Sequence, residues 1–134
     1  MASVGGEREL SYAQALESAV VLVRSKWATA VLYSLARGPL RMGDLLDEVN
    51  EHHTRPGEQP LSYKVLSATL KPLIEADLVL NHKEADTFAA KSWYGLTSHG
   101  RALIRASSPL VKWYQDYRAA VEAKQSQPPS PTVD

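Results

Sequence analysis

The segment from Leu61 to Leu80 constrains the fold most, because a helical pattern there passes into a strand pattern after a very short turn. On one side of the predicted helix, mostly apolar residues recur every three to four positions, as they do along one face of an α-helix. These residues are Val65, Leu66, Thr69, Leu70, Leu73 and Ile74. Such a face packs on a hydrophobic core, so the segment predicts a core helix followed by a strand.

The opposite side of this helix is small, polar and basic. It carries Tyr63, Lys64, Ser67, Ala68 and Lys71, and no acidic residue occurs between Lys64 and Ile74. A slim cationic helix face fits the major groove of DNA and is attracted to phosphates. Lysines also solvate the outer face of ordinary amphipathic helices, and for a helix considered alone that is the more common explanation.

Three further helices are predicted ahead of this segment. The first begins at about residue 10, the second closes at Gly38-Pro39, and the third begins near Gly43 or Asp44. A glycine followed by a proline is a typical helix ending, since glycine adopts the left-handed cap and proline cannot continue the helix.

The loop before the two-faced helix and the helix itself contain three prolines. The loop spans residues 50–60 and leads to Ser62, whose hydroxyl is the predicted N-cap. Pro72 lies inside the helix and is expected to bend or loosen it, because proline removes one backbone hydrogen bond.

A β-hairpin and further helices follow. Residues 78–83 and 91–96 have strand composition, and residues 84–90 form the predicted tip between them. Thr97 caps the next helix, and Ser108-Pro109 marks a new helix or a kink. Three compact helices and a hairpin predict a winged helix-turn-helix, a mainly α fold with a small β-hairpin. The recognition helix spans about 62–76 and the wing about 78–96.

The chain of 134 residues is predicted to form one domain. We expect a flexible N-terminal arm over residues 1–9 and a disordered tail over 124–134, since neither stretch has much to bury. Residues 10–123 then comprise the winged helix-turn-helix with its terminal helices.

Short motifs in this order resemble the HxlR family of winged-helix transcription regulators over roughly residues 12 to 118. The matching motifs are Lys26-Trp27, Gly38-Pro39, Arg41 to Leu45, Leu61 to Ser67, Leu70-Lys71, Leu78-Val79 and Tyr94 to Gly100. The resemblance implies a DNA-binding homodimer that represses, or less often activates, nearby genes and dimerises through its first and last helices.

The chain departs from that family at several positions. Thr69 stands where the family usually has Arg, Pro72 where it has Glu or a similar residue, and Asp77 where it has Gly. Asp tolerates left-handed backbone geometry better than most residues, so the turn at Asp77 is expected to survive. Many family members carry a cysteine before the first helix and some use it to sense oxidants. This chain has no cysteine and lacks that mechanism.

The predicted DNA-binding residues come from the helices and the wing. Arg41 is a candidate phosphate clamp, and Lys64 is the only candidate on the helix face for bidentate readout of bases, so much readout is expected to come from DNA shape. The full set is Arg41, Ser62, Tyr63, Lys64, Ser67, Ala68, Lys71, His82, Lys83 and Lys91.

Two apolar stripes near the chain ends predict a homodimer interface. The first helix contributes Leu16, Val20 and Val23, and the last contributes Leu110, Trp113, Tyr114 and Tyr117. A small domain has little interior left for the last stripe, so a second subunit is its preferred partner. The aromatic side chains could also form a pocket for a small-molecule effector.

Composition and motifs exclude several other functions. The chain has 15 basic and 15 acidic residues, so any attraction to DNA must be local. No enzyme motif, cofactor motif or metal-ligand spacing is found, and the adjacent His52 and His53 do not suit chelation of one ion. No apolar run is long enough to span a membrane, and no secretion signal is found. We therefore predict a cytoplasmic protein that is not an enzyme and needs no cofactor.

Two alternatives to a simple DNA-binding regulator stay open. A winged-helix module used only for protein interaction is favoured by the neutral charge balance, Thr69 and Pro72. A ligand-responsive regulator would use the aromatic pocket to alter the spacing of two recognition helices.

Overall fold

The computed structural model describes residues 9–83 and 92–127. The elements are α1 (Tyr12–Val23), α2 (Lys26–Leu35), β1 (Leu40–Arg41), α3 (Met42–His52), α4 (Tyr63–Glu75), β2 (Val79–Lys83), β3 (Ser92–Leu96) and α5 (Ser98–Ser126). This order confirms the predicted winged helix-turn-helix, with α4 as the two-faced helix and the β2–β3 hairpin as the wing. Parts of three predicted segments lie outside the described residues. They are residues 1–8 of the N-terminal arm, the hairpin tip together with Lys91, and the tail from residue 128 onward.

A side-chain hydroxyl forms the N-cap of four of the five described helices. The predicted cap of α4 is confirmed, since the Ser62 Oγ accepts a hydrogen bond of 3.2 Å from the backbone N–H of Val65. Thr97 caps α5 in the same way, accepting from the N–H of Gly100 at 3.0 Å. Each hydroxyl satisfies a backbone donor that the helix itself leaves unpaired, which fixes where the helix starts.

The core lies between α2, α3, α4 and the sheet. Its most deeply buried side chains are Val31, Leu32, Leu45, Val49, Leu66 and Val79. Helix α4 enters this core with Leu66, Leu70 and Leu73, which confirms most of the predicted apolar face. Val65 does not belong to the core, because its side chain is 40% exposed on another side of the helix.

The sheet has three antiparallel strands in the order β1-β3-β2 within the described residues. Strand β1 was not predicted, because two residues are too few to show an alternating pattern. Tyr94 pairs with Leu40 and with Asn81, and Trp93 pairs with Arg41 and with His82. Paired residues on neighbouring strands face the same side of a sheet, so these pairs define two rows on opposite faces.

The turn from α4 into the wing is tied to the start of α5. Asp77 adopts a left-handed conformation with φ of 61°, which confirms the expectation that Asp can serve here. The Thr97 hydroxyl donates a hydrogen bond of 2.6 Å to the carbonyl of Asp77. A side chain at Gly100 would begin 2.2 Å from the carbonyl oxygen of Leu78, so only glycine permits this approach.

Helix α5 differs from its predicted form. No break or new helix occurs at Ser108-Pro109, and one helix of 29 residues runs through Pro109 and past residue 123 to Ser126. A proline removes a single N–H from the helix, and the turns on both sides of it keep their own hydrogen bonds. Helix α4 likewise continues through Pro72 to Glu75.

Candidate nucleic-acid interface

A concave surface with a volume of about 570 Å³ lies between α4 and the wing, and we call it the helix–wing groove. Lys64, Ser67, Ala68, Leu70, Lys71 and Ile74 line it from α4, and Asn81 and Tyr94 line it from the sheet. Burial of Leu66, Leu70 and Leu73 sets the rotation of α4 about its axis, and that rotation turns the basic side of the helix outward.

The helix–wing groove is basic. None of the described residues that line it is acidic, and both lysines are exposed. Within the described residues, no carboxylate lies within ion-pair distance of Lys64 or Lys71, whereas Lys112 and Arg118 on α5 pair with Asp116 and Glu122 at 3.0 and 2.8 Å. The two groove lysines therefore keep their charge for an external anion.

The first turn of α4 places two further predicted residues beside the groove. Ser62 uses its hydroxyl as the helix cap. Tyr63 is 56% exposed, and its hydroxyl oxygen lies 3.3 Å from where a side chain at Gly43 would begin. Tyr63 thus spans the gap between the starts of α3 and α4, with its ring open to solvent.

Arg41 and His82 lie on the other face of the sheet from α4. Asn81 and Tyr94 face α4, so their neighbours His82 and Trp93 face away from it. The Arg41 guanidinium carbon lies 4.5 Å from the centroid of the Trp93 ring, a cation–π contact. The structure therefore brings neither Arg41 nor His82 into the helix–wing groove.

Lys83 and Lys91 are the remaining predicted wing residues. Lys83 is exposed, and it lies two positions from Asn81 on β2, which puts it on the side of the strand that faces α4. Lys91 lies outside the described residues. Only one wing lysine can therefore be assigned to the same side as α4.

Thr69 and Pro72, where the chain departs from the HxlR pattern, do not line the helix–wing groove. Both line a separate apolar cleft with Val21 and Leu22 of α1. The Thr69 hydroxyl donates to the carbonyl of Val65 at 2.7 Å, within its own helix. The two departures therefore leave the basic surface of the groove unchanged.

Asn81 is a groove residue that sequence reasoning missed. It is half-buried beside α4, and its Oδ1 has no hydrogen-bond partner among the described atoms. The only signal in the sequence is its position two residues after the buried Val79, on the same side of a strand. Its carboxamide is a neutral polar group at the sheet side of the groove, beside Tyr94.

The terminal helices carry the predicted dimer residues. Helix α1 has no buried residue, and Leu16 and Val20 are 52% and 47% exposed. On α5, the Trp113 and Tyr117 rings stack with centroids 5.0 Å apart, and Leu110, Trp113, Tyr114 and Tyr117 are all about half exposed or more. Val23 differs from the rest of the predicted set, because it is half-buried against the core of its own chain.

Neither a metal site nor a membrane span emerges from the described residues. No group of three or more potential metal ligands occurs there. No described helix combines the length and the apolar character needed to cross a bilayer.

Comparison with known proteins places this geometry in context. Residues 22–122 match the model of the HxlR-like helix-turn-helix family. No curated protein matches the chain significantly. A protein assigned to the MarR family of transcriptional regulators, from Enterococcus faecalis V583, superposes with a TM-score of 0.71 at 22% identity, over 90% of this chain and 99% of that chain.

A second solved structure, the reduced form of the transcriptional regulator YodB from B. subtilis, gives a TM-score of 0.61 at 24% identity. The match covers 78% of this chain and 91% of that chain. A PadR family transcription regulator from Clostridium difficile R20291 gives a TM-score of 0.62 at 11% identity, over 72% and 98% of the two chains. At these identities the likeness establishes the winged-helix fold.

Proposed function

The chain belongs to the HxlR-like helix-turn-helix family, and we propose that it acts as a homodimeric transcription repressor whose α4 lies in the major groove of DNA. DNA binding and transcription regulation follow from the family. The dimer, the direction of regulation and the residues that contact DNA are the proposed part.

The helix–wing groove is the observation that carries the proposal. Helix α4 has 13 residues and presents Lys64, Ser67 and Lys71 along one side, with no acidic residue among the described lining. A helix of this kind can enter a major groove about 12 Å wide, with its lysines directed to phosphates or base edges. The exposed Lys83 supports a wing contact beside it.

Charge and shape supply more of the proposed recognition than direct readout of bases. The α4 side of the groove offers no Arg, Asn or Gln, the residues that most often read guanine or adenine with two hydrogen bonds. Lys64 and Lys71, which have no ion-pair partner among the described residues, give affinity that depends on salt, and DNA deformability then supplies much of the specificity.

The exposed apolar side chains of α1 and α5 support a homodimer. Contiguous apolar patches of this kind usually mark an interface, and aromatic rings are enriched there. A two-fold axis would set two copies of α4 about one helical turn of DNA apart, near 34 Å. Repression is the proposed direction because occupancy of an operator is enough to block transcription.

The first test is binding of the purified protein to its own upstream intergenic DNA at two salt concentrations, with random DNA as competitor. We expect binding that survives the competitor and weakens as salt rises. Lys64→Ala and Lys71→Ala should each weaken binding and reduce the slope of log K against log salt by about one.

Lys112→Ala is the matched control, since it removes an exposed lysine from α5 that already has a carboxylate partner. It should leave the salt slope unchanged. Absence of binding to any DNA at low salt, by a folded dimer, would contradict the proposal and favour a module that binds only protein.

A further inference from the structure

A second concave surface lies on the face of the sheet that points away from α4, and we call it the outer cleft. Its volume is about 420 Å³. The end of α2 with the following residues 36–39 forms one wall, the outer face of β2 and β3 forms the floor, and Arg101 of α5 closes one end. It is separate from both the helix–wing groove and the exposed aromatic residues of α5.

The floor of the outer cleft is apolar and partly uncovered. Leu80 is 56% exposed there, on the edge strand β2. Its partner across the sheet is Gly95, which has no side chain to cover it. Pro39 lies 3.7 Å from where a side chain at Gly95 would begin, and Trp93 continues the apolar surface. Pro39 thus packs over Gly95, and the exposed Leu80 beside it is the uncovered part of the floor.

The rim of the outer cleft is basic. Arg37, His82 and Arg101 line it, and none of its described lining residues is acidic. The nearest carboxylate to Arg37 is that of Glu48, at 3.7 Å, and the Arg37 side chain is 80% exposed. Arg101 uses one N–H in a hydrogen bond of 3.2 Å to the carbonyl of Leu96, and a guanidinium has five such donors. Donors for an anion are therefore available beside the apolar floor.

We propose that the outer cleft binds a small aromatic carboxylate, with its ring on Leu80 beside Pro39 and its carboxylate directed to Arg37 and Arg101. A mostly apolar cavity of 300–1,000 Å³ with a few convergent polar groups is the usual form of a small-molecule site. Arginine pairs with carboxylates through two parallel hydrogen bonds. A phosphate group alone would leave the apolar floor uncovered, so the ring is as much a part of the fit as the charge.

Such a ligand would contact both the wing and the body of the protein. It would touch β2 and β3 on one side and the end of α2 on the other. If one wing position binds the ligand better than another, the ligand shifts the population toward that position and alters DNA affinity. This regulatory consequence rests on the proposed DNA-binding function, whereas ligand binding does not.

The test is a calorimetric titration of the full chain with naphthoate, and with naphthylmethanol as the uncharged analogue. We expect one naphthoate per chain, with the alcohol binding at least tenfold more weakly. Amide NMR shifts should move at Leu80 and Gly95 and stay unchanged at Trp113. Equal affinity for acid and alcohol, or shifts confined to α5, would overturn the proposal.

Two variants test separately the basic rim and the apolar floor of the outer cleft. Arg37→Gln and Leu80→Glu should each lower the affinity for naphthoate about tenfold, and both residues are exposed enough for the fold to tolerate the change. Lys112→Gln removes a positive charge far along α5 and should change the affinity less than twofold. Unchanged affinity in both cleft variants would overturn the site.

Inorganic phosphate and DNA distinguish the class of ligand. Phosphate at the concentration of naphthoate should not displace it, and displacement would overturn the assignment to an aromatic carboxylate. Because the titration contains no DNA, it succeeds or fails independently of operator binding. A subsequent operator titration with saturating naphthoate should show at least a threefold change in DNA affinity, which Leu80→Glu should abolish.

Discussion

The central lobe and the terminal helices differ in how their apolar side chains are covered. The lobe is formed by α2, α3, α4 and the sheet, and the terminal helices are α1 and the part of α5 beyond Ser107. In the lobe, Leu32, Leu45 and Leu66 are almost fully buried. On the terminal helices, Leu16, Leu110 and Trp113 are each more than half exposed. The lobe buries most of its apolar side chains, with Leu80 as an exception, whereas the terminal helices leave a contiguous apolar stripe exposed, as interface surfaces do.

The same two regions also differ in how their charges are arranged. In the lobe, Lys64 and Lys71 face a groove without acidic lining among the described residues. Along α5, Lys112 and Arg118 pair with carboxylates one turn away. Free charge on the lobe suits an anionic ligand, and neutralised charge beside aromatic rings suits a protein interface. The comparison therefore supports the proposal that DNA contact and dimerisation use different parts of the chain.

The largest effect is expected from truncating the lobe core. Leu66→Ala should lower the free energy of unfolding by about 2–5 kcal/mol, because it leaves a cavity beneath α4. Urea unfolding followed by circular dichroism measures it. Leu80→Ala, at a leucine that is 56% exposed, is the matched control and should change stability by less than about 1 kcal/mol. Equal losses in the two variants would mean that the lobe does not stabilise itself.

The junction between the lobe and α5 should give the next largest effect. Gly100→Ala puts a methyl group 2.2 Å from the carbonyl oxygen of Leu78, and the backbone must shift to relieve it. We expect a loss of about 3 kcal/mol, the upper end of the range for overpacking. At Gly95, the nearest atom to an added methyl group is 3.7 Å away, so Gly95→Ala should cost much less in the same thermal or urea assay.

On the terminal helices, Trp113→Ala should act on assembly rather than on the fold. The ring is 57% exposed and stacks on Tyr117, so its removal costs the lobe nothing and takes an aromatic anchor from the proposed interface. We expect the dimer dissociation constant to rise about 30-fold, which corresponds to about 2 kcal/mol. Sedimentation equilibrium measures this change. An unchanged dissociation constant would mean that the aromatic side chains of α5 are not part of the dimer interface.

Long elements with clear periodicity could be predicted from the sequence. The spacing of Leu66, Leu70 and Leu73 identified the buried side of α4, and that side determines where Lys64 and Lys71 point. The cap at Ser62 was also predictable, because it depends on local chemistry. The left-handed turn at Asp77 was expected from the resemblance to the HxlR family, in which Gly usually stands there, together with the tolerance of Asp for this geometry.

Features that depend on pairing between distant segments could not be predicted. The direction of His82 follows from the register of β2 with β3, and the contact of Arg41 with Trp93 requires a two-residue strand that has no pattern of its own. Of the two alternatives predicted at Pro109, a new helix or a kink, the new helix was wrong, because the turns on either side of a proline can hold one helix together. The Asn81 Oδ1, which has no hydrogen-bond partner among the described atoms, could be identified only from the packing of α4 against β2.

The smallest effect should come from an exposed ion pair in the lobe. Glu58 lies in the loop before α4, and its carboxylate contacts the Lys26 ammonium at 2.8 Å. The hydrogen bond from Lys26, followed by that from the backbone N–H of Arg55, lowers the pKa of Glu58 below its ordinary value of 4.5. A lowered folded-state pKa stabilises the fold above the ordinary value, and this stabilisation is lost as the pH falls through the lowered value.

Glu58→Gln should therefore reduce stability slightly at neutral pH and make unfolding less sensitive to acid between pH 4.5 and the lowered pKa. Urea midpoints measured across that window provide the check. Glu122→Gln on α5 removes from Arg118 a carboxylate partner that is 58% exposed, against 27% for Glu58, and should leave the lobe's unfolding midpoint unchanged. If both variants shifted that midpoint equally, the lobe and the terminal helices would unfold as one unit, and the contrast between the two regions would be confined to their surfaces.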